Sequence, residues 1–143
     1  EGKKTTIYTC CSTHKPNTFT FSVPAEASWY GFYVAGTSYD GYLRWAYNSW
    51  TVTPEKDSRF TAWPAGDTYV IYPFSISSVR WERLVQGIQQ FEKYKILLAE
   101  AEKSGNVSRV KALKRLLEGI DVKSIADKSE AMTKKFRDAL NAM

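Results

Sequence analysis

An α/β fold, with about three parallel strands followed by helices, is what this sequence predicts, and three observations lead there. Short runs of β-branched and aromatic residues alternate with a helical stripe in the first half of the chain. A strand, helix, strand order implies parallel βαβ units. The second half changes character: all five prolines lie at or before Pro73, and of the 21 aromatic residues only Phe136 lies beyond Tyr94.

The elements follow in order. Residues 5–11 (Thr-Thr-Ile-Tyr-Thr-Cys-Cys) have strand composition. A polar loop with His14, Pro16 and Asn17 comes next. Pro24 suits the first turn of a helix, and Trp29, Phe32, Tyr33 and Gly36 share one face of it over 24–38. Gly31 and Gly36 weaken that helix unless close packing offsets them. Asp40-Gly41 signals a turn before a second strand, residues 42–47. A long loop, 48–66, carries Trp50, Phe60 and Trp63, and loops of that length inside a domain are usually functional. Residues 68–72 (Thr-Tyr-Val-Ile-Tyr) complete the strand set and stop at Pro73. Ser77 or Ser78 then caps a helix running to about residue 103. Ser104-Gly105-Asn106 breaks it, and two further apolar stripes follow, one ending near Gly119 and one over 127–142. Three strands make a poor parallel sheet alone, because such sheets are covered on both faces. An incomplete barrel or open fragment is therefore expected, and its bare edges should self-associate. Light scattering at high protein concentration checks this; a clean monomer would count against it.

Charge is uneven. Residues 1–78 hold six basic and six acidic side chains, and residues 79–143 hold fourteen and nine, which accounts for the net charge of +5. The basic residues alternate with acidic and apolar ones at helical spacing, so they read as a solvated helix surface and not as a nucleic-acid patch. No apolar run is long enough for a transmembrane helix, so no membrane partner is expected. One His and two adjacent cysteines, Cys10 and Cys11, lack metal-ligand spacing, so neither metal nor cofactor is predicted. Adjacent cysteines seldom bond to each other, since the short link strains the disulfide. They read as small buried strand residues. No signal peptide opens the chain, which starts at Glu1 without Met, so the natural N-terminus is expected elsewhere.

Several separated motifs then carry a resemblance. They are Pro16-Asn17-Thr18-Phe19, Gly41-Tyr42-Leu43-Arg44-Trp45-Ala46-Tyr47-Asn48-Ser49-Trp50, Asp57-Ser58-Arg59-Phe60, Trp63-Pro64-Ala65-Gly66-Asp67, Tyr72-Pro73, and Ser78-Val79-Arg80-Trp81-Glu82-Arg83-Leu84 with Gly87-Ile88. Over residues 5–98 this string resembles the C-terminal part of the glycoside hydrolase family 123 catalytic domain, the group also labelled domain of unknown function 4091. The resemblance implies a (β/α)8 barrel acting on β-linked N-acetylgalactosaminides. It also implies substrate-assisted catalysis, with an Asp-Glu pair orienting the acetamido group and protonating the leaving group, an exception to the usual two-carboxylate scheme. No Asp-Glu dipeptide occurs here. The resemblance places that pair upstream, so this chain would supply the sixth to eighth strands and the closing helices. Residues 1–103 are then the last three βα units of the barrel and residues 104–143 a helical extension. The implied partners are a glycan containing β-linked N-acetylgalactosamine and the missing N-terminal part of the same protein. A periplasmic or secreted location is the expectation for the parent.

Active sites of such barrels lie at the C-terminal strand ends. That directs attention to Trp45, Tyr47, Asn48 and Trp50 after the second strand and Tyr72 at the end of the third. Flat sugar faces stack on aromatic rings, and hydroxyls need polar partners such as Asn48 or a phenol. Strand alternation points Trp45 and Tyr47 one way and Arg44 and Ala46 the other. Asp67 sits at the wrong strand end for a general acid and is expected to cap its turn or pair with an Arg. His14 reads as a surface residue, and Arg80, Glu82 and Arg83 as structural, with Arg80 anchoring the helix start to the loops. A carbohydrate-binding or purely structural domain without chemistry is the alternative. Binding modules are usually antiparallel sandwiches, which the βαβ order disfavours.

Overall fold

The computed structural model describes residues 2–120 and 125–143. Its elements run β1 (Thr6–Thr9), α1 (Pro24–Gly36), β2 (Gly41–Arg44), α2 (Val79–Lys103), α3 (Val107–Arg115) and α4 (Ile125–Asn141), with a short 3-10 turn at Pro73–Ser75 between β2 and α2. The α/β class and the helix order agree with the sequence. The sheet does not: it has two strands, β1 and β2, paired in parallel with Thr6 opposite Gly41 and Thr9 opposite Arg44.

The predicted third strand, 68–72, is absent as a strand. Among the described residues its only ladder contact is an isolated antiparallel bridge between Asn48 and Tyr69. Ser49 N–H donates to the Thr68 carbonyl and Val70 N–H to that of Tyr47. The β propensity of Thr-Tyr-Val-Ile-Tyr is therefore spent on folding this segment back against the loop after β2.

Local chemistry sets the helix ends. Pro24 opens α1, and the Glu26 carboxylate accepts the backbone N–H of Val23 at 3.2 Å and of Asn17 at 2.8 Å, which ties the preceding loop to the helix. Ser78 caps α2 by accepting Trp81 N–H at 3.1 Å. Gly105, at φ +67°, turns the chain into Asn106, whose side chain caps α3 through Arg109 N–H at 3.0 Å.

The core lies between α1 and the other three helices. Trp29, Tyr30 and Phe32 of α1 pack with Leu84 and Tyr94 of α2, Leu113 of α3, and Phe136 and Leu140 of α4. The Phe32 and Phe136 ring centroids are 4.7 Å apart. α1 and α2 cross with backbones in contact: a Cβ placed on Gly31 would lie 1.9 Å from the Gly87 carbonyl oxygen. That contact is the close packing the sequence requires of Gly31.

The sheet rests on α1 through one face only. Ile7 and Tyr42 join the core, and the Tyr42 ring stacks on Tyr30 at 4.0 Å. Thr9 Oγ1 is 3.1 Å from the Tyr30 hydroxyl and 2.8 Å from that of Tyr42, and Tyr30 donates to the Pro16 carbonyl at 2.7 Å. Tyr8 and Leu43, on the opposite face, are 49% and 55% exposed. A groove of about 400 Å³ runs beside β2, walled by Tyr42, Val34 of α1 and Leu84, Ile88 and Phe91 of α2. Among the described residues, no backbone group pairs with the outer edge of β2.

Candidate functional site

Both strands deliver their C-terminal ends, Thr9 and Arg44, to the same place. Arg44 organises it. Its Nη2 donates to Asp67 Oδ1 at 2.7 Å and to the Asp67 carbonyl at 3.1 Å, and its Nη1 donates to Asn17 Oδ1 at 2.8 Å. The guanidinium also lies 5.9 Å from the Phe19 ring centroid. Asp67 is 0% exposed, and its second oxygen accepts the indole N–H of Trp45 at 3.1 Å. One buried carboxylate thus fixes two consecutive residues, Arg44 and Trp45. Strict strand alternation ends there, and β2 stops at Arg44 instead of continuing to residue 47.

A second arginine supports the loop that carries Asp67. Arg80, at the start of α2, donates through Nη1 to the carbonyls of Thr18 (2.8 Å), Gly66 (2.8 Å) and Tyr69 (2.7 Å). Burial pushes its pKa down from the ordinary guanidinium value. Gly66 has φ +78°, and a Cβ there would meet Arg80 Nη1 at 2.6 Å and Thr20 Cγ2 at 2.7 Å, so only glycine fits. The two arginines explain why residues 67–70 leave the sheet: their carbonyls and carboxylate are claimed from the side. Arg44 Nε, Thr18 Oγ1 and Thr68 Oγ1 are buried and have no partner among the described residues, which makes these interior polar positions suited to bound water.

The predicted sugar-contact residues take different neighbours. Trp45 is 43% exposed and lies 6.0 Å from the ring of Trp63, which is itself 42% exposed. Tyr47 sets its ring edge-on to Trp81 of α2, at 5.3 Å, and faces the groove beside β2. Asn48 is exposed at the bridge to Tyr69. Trp50 donates its indole N–H to the Ile71 carbonyl at 2.7 Å. Tyr72 packs against Tyr69 at 5.4 Å and lines a separate cleft with Glu55, Pro73, Phe74, Ile76 and Ser77. His14 is exposed.

Sequence reasoning did not select Arg44, Asn17 or Trp63. A lone arginine closing an aromatic strand was the available signal for Arg44. Trp63 carried none beyond its place in a long loop. The cysteines also differ from expectation. Instead of being buried in β1, they lie in the turn that follows it, half-buried and as free thiols.

Asp67 is held by a guanidinium and an indole N–H, both donors. Hydrogen bonds from Arg59 hold Asp57 down at a pKa of about 2. Among the described residues, no group of three or more His, Cys, Asp or Glu is placed to hold a metal ion.

Comparisons with known proteins add to this geometry. The family model described as glycoside hydrolase 123, catalytic domain, matches residues 1–97. Among solved structures, the chain is similar to a family 123 glycoside hydrolase from Clostridium perfringens whose structure was determined to detail glycolipid glycan hydrolysis. The TM-score is 0.83 at 25% identity, covering 97% of this chain and 27% of that one. The chain thus spans about a quarter of that protein's length. None of the curated proteins matches it.

Proposed function

The chain belongs to the glycoside hydrolase 123 family, and on that premise we propose that it supplies part of the sugar-binding wall of a larger (β/α)8 hydrolase, without the catalytic acid. The observation that carries this reading is the pair of exposed indoles, Trp45 and Trp63, at the C-terminal strand ends, with Trp45 held by Asp67 and Arg44. A ring whose polar edge is fixed and whose face is open suits a sugar's apolar C–H face. Barrel enzymes place their sites at this end of the strands.

The barrel itself is supported by what the sheet leaves uncovered. Tyr8 and Leu43 face away from the helices, as residues filling a barrel interior would. Among the described residues the outer edge of β2 is unpaired and opens onto an apolar groove whose far wall is α2, so its backbone hydrogen-bonding groups suit one more parallel strand. In this reading residues 1–103 are the last βα units of the barrel, three by the sequence although only two of their strands are formed as a sheet among the described residues, and residues 104–143 are a helical extension that helps close the core. The substrate is a glycan with a β-linked N-acetylgalactosamine. Trp45, Asn48 and Trp50 line its approach, Tyr47 and Tyr72 stand at its margins on the groove beside β2 and on a separate cleft, and the acid and the acetamido-orienting carboxylate come from another part of the polypeptide.

Two measurements test this. The chain alone should not turn over an aryl β-N-acetylgalactosaminide, whereas a longer polypeptide carrying the Asp-Glu pair should. In that longer protein, Trp45→Ala should weaken substrate binding about five- to tenfold, the worth of a ring-face contact of about 1 kcal/mol or more. Turnover by these 143 residues would overturn the assignment of the acid and make Asp67, Asp57 and Glu55 the groups to replace. An unchanged KM in Trp45→Ala would remove Trp45 from the wall.

A further inference from the structure

The turn at Pro73–Ser75 has no role in the reading above, and its backbone is unusual for the residues it carries. Phe74 has φ +59° and ψ +27°, and Ser75 has φ +60°. Both lie in the left-handed region, which glycine enters freely and a bulky side chain enters at a cost. Hydrogen bonds lock the turn: Tyr72 N–H donates to the Ile76 carbonyl at 2.9 Å, and Ile76 N–H donates to the Pro73 carbonyl at 3.3 Å. Phe74 contributes almost no burial to offset this strain, since it is 94% exposed. Ile76, two residues on, is 59% exposed. A strained backbone that holds an apolar ring out in water points to a contact the ring makes outside the chain.

We propose that the cleft at this turn binds a neutral apolar group, a short alkyl chain or a single aromatic ring; resting on the function proposed above, that group is the aglycone of the glycan. The cleft has a volume of about 470 Å³ and is lined by Glu55, Tyr72, Pro73, Phe74, Ile76 and Ser77. Its chemistry disfavours other ligands. Glu55 is the one charged residue of the lining, so a carboxylate or phosphate would meet no cation there. The Ser77 hydroxyl already donates to Glu82, which leaves a polyol few free partners for its hydroxyls. Two aromatic rings, a proline ring and an isoleucine suit an apolar group instead.

The cleft is continuous with the strand-end wall. Tyr72 packs on Tyr69 at 5.4 Å, and Tyr69 is bridged to Asn48. Trp50 donates its indole N–H to the carbonyl of Ile71, the residue before Tyr72. The loop that brings Glu55 is fixed to the same segment, because the Tyr69 hydroxyl donates to the Pro54 carbonyl at 2.9 Å. Asn48 and Trp50, which line the approach of the sugar, therefore each touch the segment that ends in the cleft. A group attached to a sugar held there meets Tyr72 and Phe74 next. Phe74 is in this way a specificity-determining residue: it selects glycans whose aglycone is apolar.

The test titrates the isotope-labelled chain with methyl β-N-acetylgalactosaminide, its hexyl counterpart and hexanol, and follows the backbone amides by NMR. The hexyl glycoside should bind about tenfold tighter than the methyl one, the equivalent of burying about two methylene groups. The amides of Tyr72, Phe74, Ile76 and Ser77 should shift with the hexyl glycoside and with hexanol, and not with the methyl glycoside. Phe74→Gly should bring the hexyl glycoside down to the affinity of the methyl one. Its urea midpoint should hold or rise, because glycine relieves the left-handed backbone and no packing is lost. A lower midpoint in Phe74→Gly would give the ring a role in the fold and overturn the proposal. Equal affinities of the two glycosides for the unmodified chain would overturn it without any variant. Hexanol separates the two readings. Shifts at Trp45 from the methyl glycoside, with residues 72–77 unmoved by hexanol, would remove the cleft and leave the sugar wall. Shifts at 72–77 from hexanol, with neither glycoside engaging Trp45, would refute the sugar wall and leave the apolar site standing.

Discussion

Replacing Gly31 with alanine should destabilise the protein by about 3 kcal/mol or more, at the upper end of what overpacking costs. Propensity alone points the other way, since alanine is favoured over glycine inside a helix by about 1 kcal/mol. Geometry decides the sign. The new Cβ would lie 1.9 Å from the Gly87 carbonyl oxygen and 2.4 Å from its carbon, and the reciprocal Cβ on Gly87 would lie 2.5 Å from the Ser28 oxygen. All of these are backbone atoms, so no side chain can swing aside. Relief requires moving α1 away from α2, and α1 carries Trp29, Tyr30 and Phe32, the centre of the core. Gly36, at the end of the same helix, makes a useful comparator. Its added Cβ meets the tip of the Ile120 side chain, which can rotate. Urea denaturation of both variants should therefore show a large fall in midpoint for Gly31→Ala and a much smaller one for Gly36→Ala. Equal midpoints would mean that the helix crossing is not as close as the backbone contact implies.

The parts of the fold governed by local chemistry were legible in the sequence. Pro24 and Ser78 each sit at a helix start, Ser104-Gly105-Asn106 does break the long helix, and the stripes through Leu84, Leu113 and Phe136 mark the faces that form the core. Gly31 read as a helix weakness that needed a packing reason, and α2 provides it. What failed was set by contacts distant in sequence. Residues 68–72 have strand composition, yet Arg44 and Arg80 draw the Asp67 carboxylate and the Gly66 and Tyr69 carbonyls sideways, and propensity does not encode that pull. The expected pairing of Asp67 with an arginine holds, although nothing in the spacing named Arg44, 23 residues away. For the candidate site, the strand-end rule led to Trp45. It could not foresee Trp63 beside it, because a loop's return path is fixed by tertiary contacts alone.

Arg44→Met should be the most damaging change at the strand ends, at about 3–5 kcal/mol, because it leaves a buried carboxylate without its cation. Asp67 is 0% exposed and the Arg44 side chain 7%, so water screens this pair little. Asp67→Asn keeps the shape but removes the charge, leaving the guanidinium with Asn17, Thr9 and a backbone carbonyl as acceptors. That variant should cost less than Arg44→Met. The double variant carries the argument. A buried ion pair contributes little net stability against neutral groups of similar size, while either half alone is costly. Arg44→Met with Asp67→Asn should therefore be clearly more stable than the sum of the single losses, with a coupling of about 1–3 kcal/mol. Trp45 provides a separate readout, since its indole N–H is held by Asp67 Oδ2 at 3.1 Å. In Arg44→Met the carboxylate keeps that indole but loses its own anchor, so Trp45 should become more mobile, with lower fluorescence anisotropy in a protein whose other four tryptophans are replaced by phenylalanine. Additive losses would mean that the two side chains do not act as a unit. Coupling in stability with Trp45 unmoved would separate the ion pair from the wall and reduce it to a brace for the loop.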